Sequence, residues 1–372
     1  MTKFTKLYKE LLIPAALLSA LIIGAGMFSL PFIFNRAGIV TGIFYLVALT
    51  LVLAAVHLMY AEVIGRTPGD HRFVGYAKIH LGKAGFILSI FTAIFTIILV
   101  LLIYLVLAPS FFRLIFPGMA PLTGVLLFWL VGTMAVLAGV KKMAGLESGI
   151  VVVIILFVLA LFFSGITSPD FRPTALPLYN SGFIFLPFGA VLFSLGGRAA
   201  ISSIREYFRK EKISEKRFPA AIILGTALPA VVYLLFVIGV ISFSKGMVTE
   251  DAVSGIVFSP FLLKIFGVVG LLTLWTSYVF LGLELRGIFR LDFKIKKIAA
   301  DSAVVFLPLA IYLAGASDFI VLVGVAGGIF SGLESVLVVS MWQKLKKRLS
   351  PAFLLIPVFL AGAVYEAIKH LS

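Results

Sequence analysis

Residues 21–32 read LIIGAGMFSLPF, apolar enough for the middle of a membrane helix, yet they group Gly24, Ala25 and Gly26 and follow them with Pro31. Glycine weakens a helix by about 1 kcal/mol and proline by about 3. Lipid supplies no substitute hydrogen bonds, so broken backbone survives in a bilayer only inside protein or beside a wet cavity. The stretch therefore predicts an interrupted helix. The rival reading is a close-packing seam of small residues between continuous helices.

The surrounding chain has the composition of a polytopic membrane protein: 62% of its 372 residues are hydrophobic and its mean hydropathy is +1.18. It contains no cysteine, which excludes a disulfide framework, a thiol nucleophile and a thiolate metal site. The net charge of +15 sits in short clusters between apolar runs, the pattern of loops facing anionic lipid rather than nucleic acid. Lys3, Lys6 and Lys9 precede LLIPAALLSALIIGAG, but the apolar run continues to Phe34, longer than a signal-peptide core. It reads as a retained first helix.

Runs of about 20 apolar residues give eleven spans: 12–35, 38–62, 84–112, 121–140, 147–168, 181–204, 218–243, 256–285, 298–315, 319–342 and 352–369, of which the ninth is short. With the N-terminus in the cytoplasm and the C-terminus outside, 24 of the 31 basic residues fall on the cytoplasmic side. These include Lys141, Lys142 and Arg348. The outer pieces hold six, Arg36, Arg113, Arg172, Lys245, Lys264 and Lys369, while Arg198 lies inside the sixth span.

The sixth span, FSLGGRAAISS, carries a second glycine interruption at Gly196-Gly197. Paired interruptions at corresponding positions are the sequence mark of inverted repeats in transporters. The expected architecture is one all-α domain over 1–372. Repeat one covers about 12–168, repeat two about 181–342, and an extra helix about 352–369. An odd number of spans per repeat makes the halves run in opposite directions. At each break, free N–H groups and the positive helix end suit a carboxylate, and free carbonyls suit an ammonium or cation. A zwitterionic amino acid fits both.

These residues also resemble a family. GAGMFSLPF (24–32) is similar to the first-helix motif of the aromatic and hydroxy amino acid permeases of the amino acid–polyamine–organocation superfamily. LMYAEV (58–63) resembles the end of their second helix, GYAKIHLGKAG (75–85) the cytoplasmic loop that follows, FSLGGRAAISSI (193–204) their sixth helix and LTLWTSYVFLGL (272–283) their eighth. The resemblance implies a leucine-transporter-type 5+5 inverted repeat plus an eleventh helix, working by alternating access. It implies substrate binding at Gly24, Ala25, Gly26 and Met27, and at Phe193, Ser194, Leu195, Gly196 and Gly197. It also implies a possible sodium site from the Thr276 and Ser277 hydroxyls with first-helix carbonyls near Ala20 and Ile23. Met27 stands where a second sodium site would need an amide oxygen. The chain departs from the family at Arg198, where those permeases carry histidine.

Charges at membrane depth need a cavity or a partner. Three roles are open to Arg198: holding a substrate carboxylate, replacing a coupling cation, or snorkelling to the cytoplasm. Glu334, mid-way along the tenth span, is the candidate proton acceptor or counter-ion for Arg198. Glu62 and Glu284, at cytoplasmic helix ends, suit salt bridges. Thr92 and Thr96 either face the pocket or bond back within their helix. Phe28, Phe193 and Tyr104 are the gate candidates.

The expected function is secondary active uptake of a neutral, aromatic or large apolar amino acid, with a proton or sodium ion as coupling ion and no other cofactor. A non-transporting amino acid sensor is the alternative. An enzyme does not fit: His57, His71, His80 and His370 form no H-E-x-x-H pair, and after Ser331-Gly332 only His370 remains as a base. A metal-ion carrier would want an acidic or amide ligand at the first break, and a channel a filter signature.

Overall fold

The computed structural model describes residues 6–139, 143–168, 177–244, 248–254, 258–347 and 350–371, and no strand occurs among them. Lys3, Lys141, Lys142, Arg172, Lys245 and Arg348, used above for orientation, lie outside the described residues.

A π-helical turn at Tyr8–Leu12 leads into α1 (Ile13–Ile22), and α2 (Gly26–Ala37) continues the first span after a break. The two halves meet at 63°. Gly38, at φ 95°, turns the chain into α3 (Ile39–Arg66); a Cβ there would lie 2.6 Å from the Leu178 carbonyl carbon. α4 (Phe73–Ile115), α5 (Pro121–Ala138) and α6 (Met143–Ile166) follow. The sixth span is split into α7 (Leu186–Ser194) and α8 (Arg198–Lys210), then come α9 (Phe218–Phe243), α10 (Pro260–Gly287) and α11 (Lys297–Leu313). α12 (Phe319–Gly324) passes through a π-helical stretch, Val325–Ser331, into α13 (Gly332–Lys346), and α14 (Leu355–Leu371) ends the chain.

Among the described residues nine helices, counting the split sixth span as one, are long and apolar enough to cross a bilayer, and the bent pair α1–α2 makes a tenth. α11, with 17 residues, corresponds to the short ninth span. Exposed Phe44, Val47 and Leu51 form an i, i+3, i+7 stripe on α3, the outward face of a helix in lipid.

The structure corrects three boundaries. Residues 75–85, expected as a loop, are helical from Phe73, with a kink at Gly82 (φ 69°, ψ −152°). The cause is a distant cap: the Asp292 carboxylate accepts from the N–H groups of Arg72 (3.0 Å) and Gly75 (2.9 Å), satisfying donors at the helix start. The sixth span begins later than expected, after a 3₁₀ turn at Ser181–Phe183, and runs on to Lys210. The tenth span is locally widened rather than regular, because Gly327 lies directly against the Gly189 carbonyl and Phe193.

In the core, α1 packs on α9, α2 on α7, and α4 along α10. Both breaks are thereby enclosed by other helices, as an interrupted span in lipid requires.

Candidate functional site

At the first break Ile23 leaves helical geometry (φ −74°, ψ 85°) while its N–H still reaches the Ser19 carbonyl at 2.7 Å. The chain recovers as the Met27 and Phe28 N–H groups bond the Gly24 and Ala25 carbonyls, at 3.4 and 3.1 Å. The N–H groups of Gly24 and Ala25 have no backbone acceptor among the described residues. At the second break the Leu195 and Gly196 N–H groups turn back to Val191 and Phe193 (3.0 and 3.1 Å), and α8 starts afresh from Gly197. Its first N–H groups point out of the helix start, where the dipole is positive.

The two breaks touch. A Cβ on Gly26 would lie 2.6 Å from the Ser194 Cα, and one on Gly24 would lie 3.0 Å from the Tyr104 hydroxyl. Interruption and close packing, set against each other as alternative readings, are therefore the same feature: the glycines both break the helix and let the other break approach.

A tyrosine that sequence reasoning did not select joins them. The Tyr233 hydroxyl, fully buried on α9, lies 2.5 Å from the Ile22 carbonyl oxygen and 2.8 Å from that of Ser194. A phenol has one proton, so it donates to one of these carbonyls at a time. Its signal in the sequence was one tyrosine among eleven, in an otherwise apolar span.

The space between the breaks is a cavity of about 80 Å³, room for a handful of waters. Gly24, Ala25, Gly26, Phe193, Gly196 and Gly197 line it, as do Thr96, Tyr104, Arg198 and Glu334. Met27, Ser194 and Leu195 are buried but do not line it. The Ser194 hydroxyl bonds back to Ala190 at 2.7 Å. Phe28 is also buried elsewhere, in a cluster with Phe111, Phe236 and Phe266 beyond the first break. Thr96 both lines the cavity and bonds back to the Thr92 carbonyl at 2.8 Å; Thr92 only bonds back, to Leu88.

Arg198 does not snorkel. Its side chain is 11% exposed, its Nε donates to Glu334 Oε2 at 2.6 Å, and its guanidinium lies 4.0 Å from the centre of the Phe73 ring. The reason is position: Arg198 is the first residue of α8, so it starts beside the cavity rather than a turn from the membrane surface. Arg198 Nη1 and Glu334 Oε1 are both buried without a partner. The pair thus leaves one donor and one acceptor uncommitted in low dielectric, where polar groups seek partners most strongly.

Of the two hydroxyls named for a sodium site, one bonds within its own helix and the other reaches a first-helix carbonyl named with it. Thr276 donates to the Thr273 carbonyl at 3.1 Å, and Ser277 to the Ala20 carbonyl at 3.2 Å. Ile23 is fully buried beside them. Glu62 pairs with Lys346 (2.7 Å) and Arg66 (2.6 Å), and Glu284 with Arg72 (3.4 Å), as end-of-helix salt bridges.

His57 was not selected as a site residue from the sequence. It lines the same cavity, 1% exposed, with Nδ1 3.0 Å from the Thr226 hydroxyl oxygen.

Compared with known proteins, the chain matches the tryptophan/tyrosine permease family over residues 8–357. No curated protein matches it significantly. Among solved structures it is similar to MhsT in complex with L-phenylalanine, at 16% identity and a TM-score of 0.72, covering 95% of this chain and 98% of that one. It is similar to MHP1, a nucleobase-cation-symport-1 family transporter in a closed conformation with bromovinylhydantoin bound, at 14% identity and 0.64, covering 92% and 80%. A manganese transporter from Eremococcus coleocola, in complex with an aromatic bis-isothiourea substituted compound, gives 16% identity and 0.66, covering 98% and 88%. These likenesses establish the leucine-transporter-type fold.

Proposed function

The chain belongs to the tryptophan/tyrosine permease family and is a multi-pass membrane transporter of amino acids, and from that premise we propose that it imports an aromatic or large apolar amino acid by proton-driven alternating access. The observation that carries this reading is the meeting of the two breaks: Gly26 against Ser194, with the α8 start and the first-break N–H groups opening on one cavity. The substrate carboxylate lies at those N–H groups and the ammonium near the break carbonyls. The aromatic preference is supported by the family and by L-phenylalanine in the similar MhsT structure.

Repeat one (about 12–168) and repeat two (about 181–342) supply the moving parts, with the first, second, sixth and seventh spans rocking against the rest. The N-terminus is cytoplasmic and the C-terminus outside. Arg198 serves as the fixed positive charge at the second break, with Glu334 as its counter-ion and a coupling candidate. Proton drive is the reading adopted here; sodium is the alternative, and Ser277 with the Ala20 carbonyl, 3.2 Å apart, is the pair it would use.

The test is a radiolabelled amino acid panel in proteoliposomes, with pH and sodium gradients imposed separately. Accumulation of tryptophan, tyrosine or phenylalanine under an inward proton gradient alone is expected. Accumulation only under sodium would replace the coupling ion, and saturable binding without accumulation would make the chain a sensor.

A further inference from the structure

We infer that His57 is the proton-binding group of this carrier, taking the coupling proton on Nε2 inside the substrate cavity. The inference rests on the proton-driven reading above and assigns that reading's proton to an atom.

The argument begins with Thr226. Its hydroxyl donates its only proton to the Ile222 carbonyl at 2.9 Å, so toward His57 it can only accept. With that proton directed to Ile222, we assign the 3.0 Å contact to Nδ1–H donating to Thr226, which makes Nε2 the basic nitrogen. Nε2 has no protein partner among the described residues, and His57 lines the cavity.

The charged groups beside it in the cavity are paired with each other. α3, which carries His57, packs against α2, α7, α8, α9 and α13. α8 presents Arg198 and α13 presents Glu334, already joined at 2.6 Å. α7 has no titratable residue, α2 has only Arg36 at its far end, and α9 has Tyr233, engaged with the breaks. Tyr60 lies one turn along α3, and Tyr104 faces the cavity from α4. Arginine and phenols keep their protons at neutral pH, and Glu334 is paired with Arg198. Imidazole is the group there that can exchange a proton at an unpaired nitrogen without breaking an ion pair.

The coupling follows from charge. Without a proton on His57 the cavity holds one cation and one anion. Binding a proton forms the Nε2–H bond and leaves the cavity with a net charge of +1, which a buried site tolerates poorly unless an anion compensates. The substrate carboxylate is that anion, with Arg198 Nη1 also available to it. Proton and amino acid then favour each other's binding, and linkage makes the effect reciprocal. On opening to the other side, loss of the carboxylate releases the proton from Nε2.

The experiment uses the full-length chain in detergent and in proteoliposomes. His57→Asn places an amide N–H near the Nδ1 position, so it can keep the Thr226 bond while binding no proton. Adding phenylalanine or tryptophan to weakly buffered wild type should raise the pH by the uptake of about one proton per bound substrate, reciprocal linkage at one site. His57→Asn, without the protonated ring that favours the carboxylate, should bind substrate more weakly and with proton uptake near zero. In vesicles it should exchange substrate less well than wild type and lose accumulation under a pH gradient. Thr226→Val keeps the imidazole but removes its acceptor, which destabilises the charged ring; the midpoint of proton uptake should move to lower pH. Wild-type proton uptake or pH-driven accumulation persisting in His57→Asn overturns the inference, as does an unmoved midpoint in Thr226→Val should the first variant fail to fold. Absence of pH-driven accumulation in the wild type itself instead defeats the proton-driven reading.

Discussion

The Tyr233 hydroxyl lies 2.8 Å from the Ser194 carbonyl oxygen and, from the same point, 2.5 Å from that of Ile22, so one proton serves the ends of two broken helices. Tyr233→Phe removes the one donor these two buried carbonyls share, at a cost of about 1–3 kcal/mol. The thermal midpoint in detergent should fall, and substrate affinity should weaken by roughly tenfold. An unchanged midpoint together with unchanged affinity would show that the hydroxyl does not tie the breaks.

Arg198 and Glu334 should behave as a unit. Removing one partner leaves a buried charge uncompensated, typically about 3–5 kcal/mol, whereas removing both is far milder. Glu334→Gln and Arg198→Gln should each lower the thermal midpoint markedly, and the double variant should lie well above the sum of the two losses. Strict additivity would mean the pair does not interact in the folded protein.

Gly26→Ala should abolish transport. Its Cβ would meet Ser194 backbone at 2.6 Å, which cannot rotate aside. Gly118→Ala, with nothing within 4 Å, is the matched control and should transport normally. Uptake assays on both, at equal membrane abundance, decide the point; a fully active Gly26→Ala would mean that the breaks need not touch.

The absence of cysteine makes orientation directly testable, since one introduced thiol reports alone. Gly118→Cys, between α4 and α5, should be labelled in intact cells by a membrane-impermeant maleimide. Lys210→Cys, exposed at the end of α8, should react only after permeabilisation. The reverse pattern would invert the assigned topology.

The glycine pairs, the Arg198 charge and the basic clusters were legible in the sequence because each is a local property. A helix interruption is written in the residues that make it, and a span in its own run of apolar side chains. The short α11 and the break before α8 were readable for this reason. The helix at 73–81 was not, because its cap is Asp292, more than two hundred residues away.

By itself, then, the sequence determined that the chain lives in a bilayer, crosses it many times and interrupts two of its helices. Tertiary structure alone decided what meets those interruptions: Tyr233 reaching Ile22 across 211 residues, Glu334 reaching Arg198 across 136, and Thr226 orienting His57 across 169. The physical reason is that lipid withholds hydrogen bonds from buried polar groups. Each must find its partner wherever the packing of helices brings one, and that packing is not periodic in the sequence.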